Sequence, residues 1–387
     1  MVNKYMKKLA IIGASYLQEP LIQKAKSMGL ETHVFAWAAN DVGEKSADFF
    51  YPISIIEKEL ILSKCQEIGI DGICSIASDV AVITVNYVAN AMGLVGNSDF
   101  CTKASTNKYL MRRTFQNNGD PSPKSIMVSD LSEVEDVKKL TYPLVVKPTD
   151  RSGSRGITKI EEPSELENAV KNAVSQGFEK RAVIEEYIDG NEYSVEYISY
   201  KGKHHFLALT QKFTTGAPNF IEKGHIEPAP VTEDTLSNIK RVVLHALDSL
   251  DIKNGASHSE VKVSDNGEVK IVEIGSRMGG DFIGSSLVEL STGVDFVKAV
   301  IDVALGNDPF VCININQKKC ASGVRYIFSE KDVCVLEDVK KNHPEYLVAY
   351  NVEDDFSNEI KDSSSRHGYF ILSAENYEDI VGAYDNI

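Results

Sequence analysis

Tyr142-Pro-Leu-Val-Val-Lys147-Pro148, then Arg151-Ser-Gly-Ser-Arg-Gly156, then Val183-Ile-Glu-Glu-Tyr-Ile188 running into Gly190-Asn-Glu192: these three pieces decide the fold of the 387-residue chain. Lys147 sits in an otherwise apolar strand, where an unpaired ammonium would be costly. An anionic ligand would pair it, or it snorkels from an edge strand. The loop that follows holds two glycines, two serines and two arginines, a composition that lets backbone N–H groups at Ser152, Gly153, Ser154 and Gly156 approach phosphate oxygens. A surface hairpin has the same composition. Glu185 and Glu186 end the second strand, where a hinge offers backbone groups to a base edge, while Glu192 follows a turn directly and is placed to accept from ribose hydroxyls. Alternating glutamates also read as a solvent face. Taken together, a strand lysine, a glycine loop and an acidic hinge can hold the phosphates, adenine and ribose of ATP.

Working outward, Glu260 and Glu273 lie on two predicted strands joined by Asp265-Asn266-Gly267, so hairpin pairing sets their carboxylates side by side. Adjacent carboxylates repel unless a cation intervenes, and Mg²⁺ takes one or two carboxylates together with substrate phosphates; a surface hairpin with compensated charges is the alternative. Arg277, four residues after Glu273, reaches toward a transferring phosphoryl group. Gly279-Gly280 is read as the start of a helix whose N–H groups hold a carboxylate. Lys108, at a helix start, is a second phosphate lysine or a solvated one. A polar lid segment carries Glu222, for a substrate ammonium, and His225, which binds or deprotonates a substrate or is structural. Asp79, at the end of a parallel strand, is a further substrate candidate, since ligands of parallel sheets gather at strand carboxyl ends.

The length suits two or three domains. Lys8-Leu-Ala-Ile-Ile12, Gly13-Ala14-Ser15 and a helix from Pro20 to Met28 open a βαβ unit, repeated at Gly72–Ile76 and Val80–Met92, so residues 1–102 form a parallel α/β domain. Gly13-Ala14-Ser15 is a tight turn or a phosphate turn. Residues 103–310 look α+β, with a lid at about 124–187. Residues 311–387 form a small third unit with an exposed acidic segment at about 354–365 and little legible chemistry. A net charge of −15 argues against nucleic acid. The apolar run Leu9–Ile12 is too short for a signal peptide or a membrane span, which points to the cytoplasm. Six cysteines without a CxxC pair read as buried free thiols rather than a zinc site or a disulfide frame.

In combination the strand, loop, hinge, metal pair and Arg277 resemble the ATP-grasp superfamily over about the first 310 residues in order. The resemblance implies a pre-ATP-grasp α/β domain, an ATP lid and a catalytic half. Lys108 and Lys147 would hold phosphates, Glu185 and Ile188 the adenine through their backbones, and Glu192 the ribose. Mg²⁺ is the implied metal, with Mn²⁺ the alternative. The metal strand departs from the usual Glu-x-Asn-x-Arg at Gly275. His258-Ser-Glu260 and Arg277-Met-Gly-Gly280-Asp281 most resemble bacterial L-amino-acid ligases, which join two amino acids through an acyl phosphate and release ADP and phosphate. Lys147 and Arg277 would be catalytic, and Glu222, His225, Gly279, Gly280, Asp281 and Asp79 would shape the substrate end. Alternatives are a purine-synthesis ligase and a non-catalytic ATP-binding protein. Dimerisation is implied by the resemblance alone.

Overall fold

The computed structural model describes residues 6–129, 137–151, 153, 155–217, 220–312, 320–353 and 355–384. Its N-terminal part alternates β1 (Lys8–Ile12), α1 (Glu19–Ser27), β2 (Glu31–Phe35), α2 (Val42–Ser46), β3 (Phe49–Tyr51), α3 (Lys58–Ile68), β4 (Gly72–Cys74) and α4 (Asp79–Met92). The strands form a parallel sheet in the order β3-β2-β1-β4. The fully buried Leu9 to Ile12 of β1 lie at its centre, as a near-continuous apolar run requires when helices cover both faces. Gly13, at φ 104°, is a tight turn: the Ser15 N–H and hydroxyl both donate to Gln18 Oε1, at 3.2 and 2.7 Å.

Two helices, α5 (Asp99–Thr106) and α6 (Lys108–Asn118), lead to the lid. Asn107 caps α6, its Oδ1 accepting from the N–H groups of Tyr109 and Leu110 at 3.1 Å each, an arrangement that contributes about 1 kcal/mol. Gly119, at φ 76°, ends the helix. The lid comprises β5 (Ser125–Val128), β6 (Leu144–Pro148), β7 (Thr158–Ile160), α7 (Leu166–Gln176) and β8 (Ala182–Glu186). Its antiparallel sheet runs β5-β8-β6-β7, with Ala169, Val170 and Ala173 of α7 packed against Leu144, Val146 and Ile184.

The large sheet is built from β9 (Asn191–Tyr200), β10 (Lys203–Thr214), β11 (Glu222–Glu227), β12 (Gly255–Val263), β13 (Val269–Gly275), β14 (Ala321–Tyr326), β15 (Leu347–Val352) and β16 (Gly368–Ala374). All neighbours are antiparallel, in the order β13-β12-β9-β10-β11-β14-β16-β15. Helix α8 (Glu233–Ser249) buries Ile239, Val243 and Leu247 against one region. After the short α9 (Val288–Thr292), α10 (Phe296–Ala304) joins the large sheet to α1 and β4 in one core. The residues after 310 are not a separate unit: β14 pairs with β11, so one sheet runs through both regions, with α11 (Glu330–Asn342) and α12 (Tyr377–Ala383) packed on its C-terminal half.

Among the described cysteines, Cys65, Cys74 and Cys101 are buried free thiols as expected, but Cys334 is exposed. Among the described residues no helix is long and apolar enough to cross a membrane.

Candidate functional site

Lys147 stands on β6, an inner strand of the lid sheet, and is only 5% exposed; the snorkelling alternative is excluded. Its ammonium meets Glu185 Oε2 at 2.6 Å, and Glu185 Oε1 lies 2.7 Å from Arg112 Nε. The Glu185 side chain is thus buried between two cations, its carboxyl held below the usual range by Arg112 and Lys147 despite burial. Burial lowers Lys147 even with Glu185 beside it. Arg112 also donates to the Val272 carbonyl, tying the lid to β13.

Beyond β8 the chain leaves the ladder. The Glu186 and Tyr187 N–H groups donate to the carbonyls of Lys124 and Pro143, at 3.1 and 2.9 Å, whereas the Ile188 N–H has no partner among the described residues. This is a hinge with one backbone donor to spare, beside the apolar Val145, Ile157 and Val272 in a cavity of about 170 Å³. Glu192 lines the same cavity and pairs with Lys212 at 2.9 Å.

The register of the β12–β13 hairpin sets Glu260 directly opposite Glu273. Each carboxylate is matched by a lysine from another element: Lys108, the first residue of α6, reaches Glu273 at 2.6 Å, and Lys212 of β10 reaches Glu260 at 2.5 Å. Lys108 Nζ also donates to the Arg151 carbonyl at 2.8 Å, bringing the glycine loop to the same place. Two facing carboxylates, each paired with an ammonium group, form a charge-compensated pair that a divalent cation and phosphates would rearrange. No group of three or more His, Cys, Asp or Glu side chains placed to hold a metal occurs among the described residues, so an ion here would complete its shell with phosphate oxygens and water.

Arg277 is clasped by Asp79, Nε to Oδ1 at 2.8 Å and Nη2 to Oδ2 at 3.2 Å. Asp79 therefore reaches the cavity, but its carboxylate is committed to orienting Arg277. Gly279 and Gly280 do not begin a helix. The Gly279 N–H donates to buried Glu196 at 3.1 Å, and the chain turns through Asp281 and Phe282, both at positive φ, before the π-helical turn Ile283–Leu287. A Cβ at 279 would stand 2.9 Å from Glu196 Oε1 and 2.8 Å from His258 Nδ1, so this close approach needs glycine. Glu196 also holds His258; burial opposes its charge, yet Glu196 raises the imidazole to about 9.

Next to this cavity a second one, of about 620 Å³, shares Asp79, Arg151, Gly153, Lys212, Glu222, His258, Glu260 and Arg277 with it. Its floor holds His225, Gly280, Asp281 and Arg366. Glu222 accepts from Ser363 Oγ at 2.5 Å and makes no close ion pair among the described residues, although Arg366 donates to its backbone carbonyl at 3.4 Å. His225 is buried and not solvent-facing; both ring nitrogens lack a hydrogen-bond partner, Asp281 Oδ2 lies 3.9 Å from Nε2, and burial lowers its pKa. Asp281 is gripped by Arg366, at 2.9 and 3.0 Å, which holds its carboxyl far below the usual range in spite of burial.

Residues 140–285 match the ATP-grasp domain family. The fold is the ATP-grasp fold. It is shared end to end with the L-amino acid ligase from Bacillus licheniformis, at a TM-score of 0.84 and 25% identity over 99% of this chain and 97% of that one. Phosphoribosylglycinamide synthetase from Anaerococcus prevotii shares the fold at a TM-score of 0.77 and 20% identity, over 98% and 97% of the two chains. In sequence the chain is 27% identical over 298 residues to alanine–anticapsin ligase of Bacillus subtilis, 68% of this chain and 62% of the relative, so it spans less than two thirds of that relative's length. A D-alanine–D-alanine ligase of Mannheimia succiniciproducens is 30% identical over 159 residues, 39% of this chain and 50% of its own.

The ATP-grasp cleft therefore gathers most of the residues the sequence singled out; Gly156, packed against Gln176 and Pro148, and Gly279 line neither cavity, and Ser152 and Ser154 lie outside the described residues. Sequence reading missed four others. Lys212 and Arg112 sit on long-range ion pairs that no local pattern reveals. Glu196 is hidden in an apolar strand, where its buried polar character was the available signal. Arg366 comes from the C-terminal segment, whose sequence carries little legible chemistry; Asp362, Ser363 and Ser364 of its acidic stretch also line the cavity.

Proposed function

We propose that the chain is an ATP-dependent carboxylate–amine ligase that forms an amide, ADP and phosphate through an acyl phosphate, with amino acids as both partners. The observation that carries this reading is the facing pair Glu260 and Glu273, each neutralised by a lysine of a different element, on a cavity that Arg277 also lines. The Glu185–Ile188 hinge would take adenine, with the Ile188 N–H as donor, and Glu192 would take the ribose once Lys212 turns to phosphate. Glu260 and Glu273 would hold Mg²⁺ together with phosphate oxygens. That ion, when bound, supplies charge neutralisation on the phosphates.

A substrate carboxylate at the junction of the two cavities attacks the γ-phosphorus, and ADP leaves. Lys108, Lys147, Lys212 and Arg277 offset the charge on the phosphates and on the transferring group. The amine then attacks the acyl carbon, the carbon–oxygen bond to phosphate breaks, and a proton leaves the nitrogen. His225, kept neutral by burial and with unpartnered nitrogens, is suited to receive it. Glu222 would hold a substrate ammonium. A purine-synthesis substrate is less well supported. It would need free cations for a second phosphate, and of the four arginines at the outer cavity three have carboxylate partners, Arg155 with Asp362 at 4.0 Å, Arg277 with Asp79 and Arg366 with Asp281, while Arg151 lies over the Phe178 ring.

Phosphate release from Mg-ATP, measured across paired amino acids with mass spectrometry of products, tests the proposal. Release that needs both partners, gives a condensed product and disappears in Glu273→Ala is expected. Tight ATP binding with no release for any pair would sink it.

A further inference from the structure

Trp37 is the only tryptophan in the chain, and it stands 72% exposed on the loop after β2. Ile56, 65% exposed before α3, and Phe178, 64% exposed just after α7, border the same outer cavity. Single large apolar groups in water are ordinary. Three of them, from two different domains, around the opening of one candidate reaction cavity form a surface waiting for a ligand. Phe178 is also held in place: its N–H donates to Asp150 at 3.0 Å, and the Arg151 guanidinium lies 4.5 Å over its ring. The cavity is thus apolar at the mouth and charged at the floor.

Taking the ligase reading as its basis, the carboxylate to be phosphorylated has to lie where Arg277 and Lys212 line both cavities. The nucleotide fills one side of that junction, so the amine has to arrive from the other, and its substituent points outward to the mouth. We propose that Trp37, Ile56 and Phe178 form the side-chain subsite of the amine partner and select a bulky apolar amino acid of the leucine or phenylalanine class. Because Phe178 rides on the lid, the subsite is complete only when the lid stands over the cleft. Selection and nucleotide enclosure are then one event, linked through Arg151, which borders both cavities.

The lone tryptophan makes the subsite directly observable. In protein loaded with Mg-ADP, leucine or phenylalanine is expected to shift Trp37 emission to the blue with saturation, glycine is not, and Phe178→Ala is expected to weaken leucine binding about tenfold or more. In turnover, the ratio of kcat/KM for leucine over glycine as the amine is expected to fall about tenfold or more in both Trp37→Ala and Phe178→Ala. A wild type with no preference for bulky apolar amines, or a ratio unchanged in both variants, overturns the subsite. If no pair of substrates releases phosphate, the ligase reading fails separately. The emission titration then judges the subsite alone: a saturable shift with leucine sustains an apolar-ligand site, and no shift ends it.

Discussion

In the nucleotide half of the cleft the buried charges come in closed circuits: Arg112 and Lys147 on Glu185, Lys108 on Glu273, Lys212 on Glu192 and Glu260, Asp79 on Arg277. In the outer cavity Arg366 and Asp281 close on each other, but among the described residues the His225 ring nitrogens make no hydrogen bond within 3.5 Å and the Glu222 carboxylate accepts from a hydroxyl rather than a cation. The first half is arranged for a ligand whose charges are always the same, and its own ions hold the geometry until that ligand arrives. The second leaves groups open, which is how a fold reused for different substrates can vary one half without disturbing the other.

The sharpest way to break this contrast is Arg112→Ala. If the closed circuits hold the nucleotide half together, removing one buried cation from Glu185 should cost about 3–5 kcal/mol, read as a lowered denaturation midpoint. An unchanged midpoint would mean the circuits are incidental. Arg277→Lys keeps the charge and loses the forked grip of Asp79; kcat should drop about a hundredfold with the KM for ATP nearly unchanged. An equal rise in that KM would instead make Arg277 a nucleotide-binding group.

Glu227, on β11 two residues after His225, is fully buried and lines neither cavity, so it probes the strand that carries His225 rather than the site itself. Burial raises its carboxyl to about 7 from an ordinary 4.5, against the hydrogen bonds of Ser291 and Thr210. The folded state thus holds this proton more tightly than the unfolded chain. Its stabilising effect is complete below about pH 4.5 and is lost as the pH rises through 7. Glu227→Gln keeps the neutral form, so the variant should match the wild type near pH 4.5 and gain about 3 kcal/mol on it by pH 8. A gain that is flat with pH would place the proton elsewhere. The smallest effect is expected from Arg366→Gln, which frees Asp281. The KM for an amino-acid substrate should rise about tenfold while that for ATP moves less than twofold. A matching change in both would dissolve the distinction between the halves.

The same division explains what the sequence disclosed. Lys147, Glu185, Glu192, Glu260 and Glu273 sit at fixed offsets from turns and strand ends, so the local pattern located the strand, the hinge and the hairpin register. The parallel N-terminal domain was legible for the same reason, from apolar runs closed by Gly29 and Gly93. The outer cavity was not, because its parts lie far apart: Trp37, Phe178, Asp281 and Arg366 meet only once three sheets have assembled. Strand β15, half exposed and interrupted in register against β16, gave no clear alternation. The sharing of one sheet across residue 310 depends on pairing between β11 and β14, which no local signal encodes.

That shared sheet bears on how the protein can be handled. β11 lies between β10 and β14, with Gly224 to Glu227 in the ladder to β14. A chain cut after residue 310 would strip β14 away and leave this row of backbone donors and acceptors bare beside the apolar Ile226. Such a strand invites a second copy to add itself on. The shortened protein should therefore clump or swap strands rather than survive as a trimmed catalytic core. The C-terminal fifth would then be a built-in guard against self-association as well as the source of Arg366.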